Sequence, residues 1–128
     1  MISVSEAILI QDILIEKFGG TRGIRDRGLL ESALSRPFQT FDNKDLYPSV
    51  IKKAAALIES ILINHPFIDG NKRIGYVLMR LFLIDNGLDI YANQDEKYDF
   101  VNNIASGHFD FDKICTWLEK HIKERNRH

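Results

Sequence analysis

The chain has 128 residues, 45% hydrophobic and 27% charged, with 17 Lys and Arg against 18 Asp and Glu for a net charge of −1. That length suits one domain, residues 1–128, able to bury roughly two-thirds of its unfolded surface, and the near-neutral balance argues against a broad electrostatic footprint for direct nucleic-acid binding. A lone cysteine, Cys115, excludes an internal disulfide or a multi-thiolate zinc site and reads as a small buried hydrophobe.

The first stretch, MISVSEAILIQDILIEKF, lacks a basic leader and interrupts its apolar residues with Glu6, Gln11, Asp12 and Glu16. Neither a signal peptide nor a membrane span is expected there, and the chain reads as cytoplasmic. Residues 3–6, SVSE, have the form of a capping box, so a first helix runs to about Phe18 and stops at Gly19-Gly20. Asp26 starts a second helix, DRGLLESALSR, which Pro37 ends. The aromatics of PFQTFDNKDLYP alternate with polar residues and turn formers, which suggests a loop or short hairpin. A third helix spans roughly Tyr47 to Asn64, before Pro66.

The fourth helix starts near Gly70 and stops at Asn86-Gly87. Ile74, Val77, Leu78, Leu81 and Phe82 fall at the spacing of a core-facing stripe, widened by Leu83 and Ile84, so this helix is expected to be central. LDIYA has the make-up of a very short strand, Asn93 and Glu96 repeat the box spacing before a fifth helix, and Asp110 caps a sixth. The basic tail KHIKERNRH complements the dipole of that helix's C-terminus. The expected fold is all-α, a bundle of about six helices. The connection around residues 37 to 47 is long for such a bundle, and long connections tend to be functional.

Residues 65 to 73, HPFIDGNKR, carry the most chemistry. Pro66 interrupts the third helix and leaves His65 on an exposed shoulder, while Phe67 is expected to point inward and pin the loop. Asp69-Gly70 favours a sharp turn in which backbone N–H groups converge as an anion nest. The free N–H groups of the fourth helix point at the same spot, and Lys72 and Arg73 add two charges. Asp69 would repel phosphate unless a magnesium ion stood between them, and His65 is the natural general base. Together these describe transfer of a phosphate-containing group to a hydroxyl. The competing reading is a plain helix start, with Asp69 as cap and Lys72 and Arg73 solvated. Two cations in a first turn oppose the helix dipole, however, and such local conflicts mark functional sites.

HPFIDGNKR resembles the signature of the Fic/Doc superfamily, His-x-Phe-x-Asp/Glu-Gly-Asn-x-Arg, at His65, Phe67, Asp69, Gly70, Asn71 and Arg73. GIRDRGLLESALSRP and DLYPSVIKKAAALI resemble its Doc, or death-on-curing, branch. The resemblance implies a Fic/Doc fold with a short hairpin-like flap, and a toxin of a toxin–antitoxin pair that uses ATP and magnesium. His65 would be catalytic, Asp69 would hold the metal, and Gly70, Asn71, Lys72 and Arg73 would bind phosphates. Phe38, Gln39, Thr40 and Phe41 would form the flap that aligns an extended target segment.

AMP-transferring relatives usually have Gly where this chain has Lys72, and a second Arg where it has Tyr76. In the Doc branch that change accompanies a reversed nucleotide pose, so the resemblance implies transfer of the terminal phosphate to a Ser or Thr hydroxyl. The implied target is a translation factor of the elongation factor Tu type, and the implied outcome is growth arrest. The alternatives are adenylyl transfer by the same residues and a catalytically idle antitoxin-binding module. An inhibitory Ser/Thr-x-x-x-Glu-Gly/Asn element has no match, so restraint is expected from an antitoxin chain. Arg80 reads as a surface or ion-paired residue, His108, His121 and His128 as surface histidines, Trp117 as core, and Asp26 and Glu31 as capping and surface residues.

Overall fold

Helices begin where a side chain can replace the acceptor that the first turn lacks. In the computed structural model, which describes residues 1–125, α1 (Val4–Phe18) opens with the capping box, Ser3 accepting from the Glu6 N–H and Glu6 from the Ser3 N–H. Asp26 caps α2 (Arg27–Ser35) and Ser49 caps α3 (Val50–Asn64). Asn93 and Asp110 cap α5 (Gln94–Ala105) and α6 (Phe111–His121). The exception is α4 (Asn71–Asp85), whose N-cap is Gly70 and which has no side-chain cap.

After α2 a 3-10 turn, Arg36–Phe38, accommodates Pro37. A hairpin follows, β1 (Thr40–Phe41) against β2 (Lys44–Asp45). Its two-residue turn is Asp42-Asn43, with φ of 53° and 60°, the mirror-image turn whose twist matches that of paired strands. β3 (Leu88–Ile90) pairs antiparallel with β4 (Ile122–Glu124). The basic tail therefore leaves the helix at His121 instead of prolonging it, because β3 presents open backbone groups. Tyr91 N–H donates to the His121 carbonyl and Arg125 N–H to that of Gly87, extending the ladder.

The most completely buried helix is α3, in which Ala54 to Ile58 and Ser60 to Leu62 are buried. α4 packs closely against it. A Cβ on Gly75 would stand 3.0 Å from Leu62 Cδ2 and 3.2 Å from Ile61 Cγ2. On α4 the buried residues are Ile74, Gly75, Leu78, Met79 and Leu83, whereas Leu81 is exposed. The buried arc is turned toward Met79 because α4 serves two apolar clusters. Ile74 and Leu78 face α1 and α2, and Met79 and Leu83 face α5 and α6. No described helix is long and apolar enough to cross a membrane.

Candidate active site

The loop between α3 and α4 is held from both ends. Pro66 stops α3, and His65 turns left-handed at φ 49° and ψ 60° while its N–H still reaches the Ile61 carbonyl. The open carbonyls of Asn64 and His65 accept from the Arg25 guanidinium, each at 2.6 Å. The imidazole is exposed and takes no hydrogen bond from the described residues. Phe67, 1% exposed, drives its ring into the cluster with Leu30, Leu57, Ile61 and Ile74. Its backbone is clasped by Asn71, whose Oδ1 accepts from the Phe67 N–H at 3.0 Å and whose Nδ2 donates to the Phe67 carbonyl at 2.9 Å. The side chain named from sequence as a phosphate ligand is thus engaged with the loop itself.

Asp69 does not cap α4, whose N-cap is Gly70 with no side-chain hydrogen bond. Its Oδ1 accepts from the Gly70 N–H at 2.8 Å, and its Oδ2 accepts from the Thr21 N–H at 3.1 Å. A carboxylate offers about four acceptor positions, so this exposed group keeps capacity for a cation. Its backbone carbonyl accepts from Gln11 Nε2 at 3.2 Å, and Gln11, 1% exposed, also bridges both ways to Gly23. A Cβ on Gly20, where φ is 117°, would lie 2.7 Å from Asp69 Oδ2, so that close approach requires glycine. Sequence reasoning missed Gln11, Gly20, Thr21 and Arg25 as supports of this loop. The available signal was a glutamine inside an apolar stripe, followed by the glycine- and arginine-rich run GGTRGIR.

Gly70, at φ 75°, turns the chain into α4. The first intrahelical bond is Ile74 N–H to the Gly70 carbonyl, so the N–H groups of Asn71, Lys72 and Arg73 stay open. Neither adjacent cation meets a carboxylate among the described residues. Lys72 Nζ donates to Asn102 Oδ1 at 3.0 Å, and the Arg73 guanidinium lies 4.1 Å from the centroid of the Phe18 ring. Lys72 and Arg73 form one end of a groove of about 430 Å³ between α4 and α5. A second cleft, about 460 Å³, is lined by Gln39 of the flap and by Asn64, the residue before His65. The loop from 65 to 70 thus separates two concavities.

The flap is anchored at its base and open at its tip. Arg36 binds Tyr47 Oη and Ser60 Oγ at 2.9 Å each, and Glu59 at 2.9 Å. Phe38 packs edge-on against Phe82 with centroids 6.0 Å apart, while Phe41 is 75% exposed. β1 pairs only with β2, so Thr40 and Phe41 sit on a strand with an outer edge unpaired.

The remaining candidates fall outside this site. Arg80 makes a paired contact with Asp89 at 2.9 and 3.1 Å. Asp26 caps α2 and Glu31 pairs with Arg27. His121 is not a plain surface histidine: it stacks on Trp117, itself stacked on Phe100, and contacts Glu96 at 3.0 Å. His108 contacts Ser106, and His128 lies outside the described residues. Cys115 is buried, and burial pushes its thiol up from the ordinary value. No cluster of three or more metal-ligating side chains occurs among the described residues.

A sequence profile of the Fic/DOC family matches residues 1–83. The chain is 40% identical over 103 residues to Toxin Doc of Mycolicibacterium smegmatis, covering 79% of each chain. It is 25% identical over 119 residues to Protein kinase doc of Escherichia phage P1, covering 93% of each.

Proposed function

The chain belongs to the Fic/DOC family, in its Doc branch, and from that premise we propose that it is a toxin that transfers the terminal phosphate of ATP to a Ser or Thr hydroxyl of a protein. The observation that carries this reading is the start of α4. It is the one α-helix among the described residues without a side-chain cap. It bears two cations without acidic partners, and an exposed imidazole stands one loop away. An uncapped N-terminus with added cations is a site for a polyanion.

In this reading the open N–H groups of residues 71–73, with Lys72 and Arg73, hold the phosphate chain. Gly70 permits its close approach, and the Asn71 side chain acts by keeping the Phe67 loop in place. His65 takes the proton of the acceptor hydroxyl through a ring nitrogen. The freed oxygen forms a bond to the terminal phosphorus, the bond from that phosphorus to the bridging oxygen breaks, and ADP leaves with the electron pair. Arg25 and the left-handed turn at His65 present the imidazole to solvent, where a protein acceptor can meet it. Asp69 would hold magnesium, an ion that proteins commonly bind through one or two carboxylates. When bound, the ion supplies charge that reconciles Asp69 with the phosphates.

The acceptor segment lies along the open edge of β1 in the flap of Phe38 to Phe41, whose Gln39 lines the cleft that reaches Asn64, the residue before His65. The target is a translation factor of the elongation factor Tu type in the cytoplasm, and an antitoxin chain restrains the enzyme by covering the site. This last reading draws support from the relative named Toxin Doc, and phosphate transfer from the one named Protein kinase doc. The test is incubation of a lysate with the chain and ATP labelled at either end. Label transferred from the terminal phosphate, and abolished by His65→Ala, supports the reading. Label from the α-phosphate alone replaces it with adenylyl transfer, and no transfer from either end leaves an idle antitoxin-binding module.

A further inference from the structure

The Arg73 guanidinium lies against a ring that the core does not use. Phe18 closes α1 and is 53% exposed. It belongs to neither apolar cluster, so burial does not account for an aromatic side chain there. We propose that Phe18 is a positioning residue for the phosphate site, holding Arg73 by the face of its ring so that phosphates meet the guanidinium already in place. This rests on the reading that phosphates bind at the start of α4.

The guanidinium carbon stands 4.1 Å from the ring centroid, well inside the reach of a cation–π contact, roughly 6 Å. Lys17 Nζ also approaches this ring, at 5.5 Å, so Arg73 is the closer cation. The kind of contact matters. A guanidinium carries several N–H donors in a fixed fork, and a ring face attracts the charge without occupying them. Arginines held by oxygen spend their donors: Arg36 on Tyr47, Ser60 and Glu59, and Arg80 on Asp89. Arg73 has neither a hydrogen bond nor a carboxylate partner among the described residues. Its charge and its donors therefore stay open to phosphate oxygens. A long exposed side chain loses rotamer freedom when it binds a ligand, and the ring removes part of that loss beforehand.

The ring is itself fixed to the active loop. α1 ends at Phe18 with the Gly19 N–H on the Ile15 carbonyl. Gln11 of the same helix donates to the Asp69 carbonyl, and the Thr21 N–H, just past its end, donates to the Asp69 carboxylate. The ring under Arg73 and the carboxylate of Asp69 thus share one frame. That frame sets the side chain assigned to phosphate against the side chain assigned to the metal.

Equilibrium binding of inorganic tripolyphosphate to the full chain tests the proposal. Phe18→Leu keeps apolar bulk but removes the ring, and is expected to weaken binding about two- to fivefold, the range of an exposed cation–π contact. Phe18→Tyr keeps the ring face and should bind as the parent chain does. In an Arg73→Ala background Phe18→Leu should add nothing, because the contact is already gone. Parent-level binding by Phe18→Leu, with Arg73→Ala still weakened, overturns the proposal and leaves the phosphate reading standing. A loss shared by the Leu and Tyr variants, or one that persists in Arg73→Ala, marks a structural residue and overturns it too. If tripolyphosphate does not bind the parent chain, or binds Arg73→Ala equally well, the phosphate role of Arg73 falls and the proposal with it.

Discussion

Asn71→Ala separates a residue that builds the site from one that binds substrate. Asn71 makes two hydrogen bonds, 3.0 and 2.9 Å, to the backbone of Phe67, whose side chain is 1% exposed. The neighbouring loop pairs with Pro66 and Ile68 through Arg25, Asp26 and Gly23, so no other group serves the Phe67 N–H and carbonyl. Each bond is worth about 1 kcal/mol net, and more where the partner is left buried and unpaired. The better helix propensity of alanine returns a few tenths. The expected loss is about 2–3 kcal/mol, which for a chain of this size lowers the melting temperature by roughly 6–15 °C. Asn71→Asp should lose a similar amount, since it keeps the acceptor for the N–H but turns a second oxygen toward the Phe67 carbonyl. Urea and thermal unfolding followed by circular dichroism measure both. A variant within about 0.5 kcal/mol of the parent that has nevertheless lost ATP binding would refute the reasoning and make Asn71 a direct phosphate ligand.

Other substitutions divide the same loop by role. His65→Ala should slow transfer by about a hundred- to ten-thousandfold, and leave stability within about 1 kcal/mol of the parent, since the exposed histidine already carries the left-handed backbone strain that alanine would; a large drop in melting temperature would mean the imidazole is structural. Phe67→Ala should cost about 3–5 kcal/mol because the ring is buried, and equal destabilisation by the two variants would show the roles wrongly divided. Asp89 is held below the ordinary carboxylate value of 3.8, chiefly by its hydrogen bonds from Arg80. Since the folded-state value is the lower one, that stabilisation is fully present above the ordinary value of 3.8 and is lost as pH falls below it through the folded-state value. Asp89→Asn should therefore cost at most about 1 kcal/mol at neutral pH, given the exposed Arg80, and should flatten the acid limb of the stability profile; an acid limb parallel to the parent's contradicts this.

Local signals carried most of the helix starts. SVSE, Asp26, Asn93 with Glu96, and Asp110 each act within one turn of themselves, and the structure has all four caps. What sequence could not supply is what depends on distant partners. Gln11 meets the Asp69 carbonyl across 58 positions, and nothing about a lone glutamine in an apolar stripe announces where its partner lies. The tail becomes β4 only because β3 waits beside it. Leu81 fits a one-sided stripe but not a helix buried on two flanks, and His121 reads as surface until Trp117 and Glu96 enclose it. At the loop between α3 and α4, residue types pointed to phosphate and a base, but the two bonds by which Asn71 clasps the Phe67 backbone are something spacing does not reveal.

The central claim concerns which phosphate moves. The intact mass of the modified acceptor protein, taken after incubation with this chain and unlabelled ATP, answers it directly. The account predicts a gain of one phosphoryl group, absent when His65→Ala replaces the parent chain. A gain of one AMP, or an unmodified acceptor while the cells expressing the chain still arrest, contradicts it.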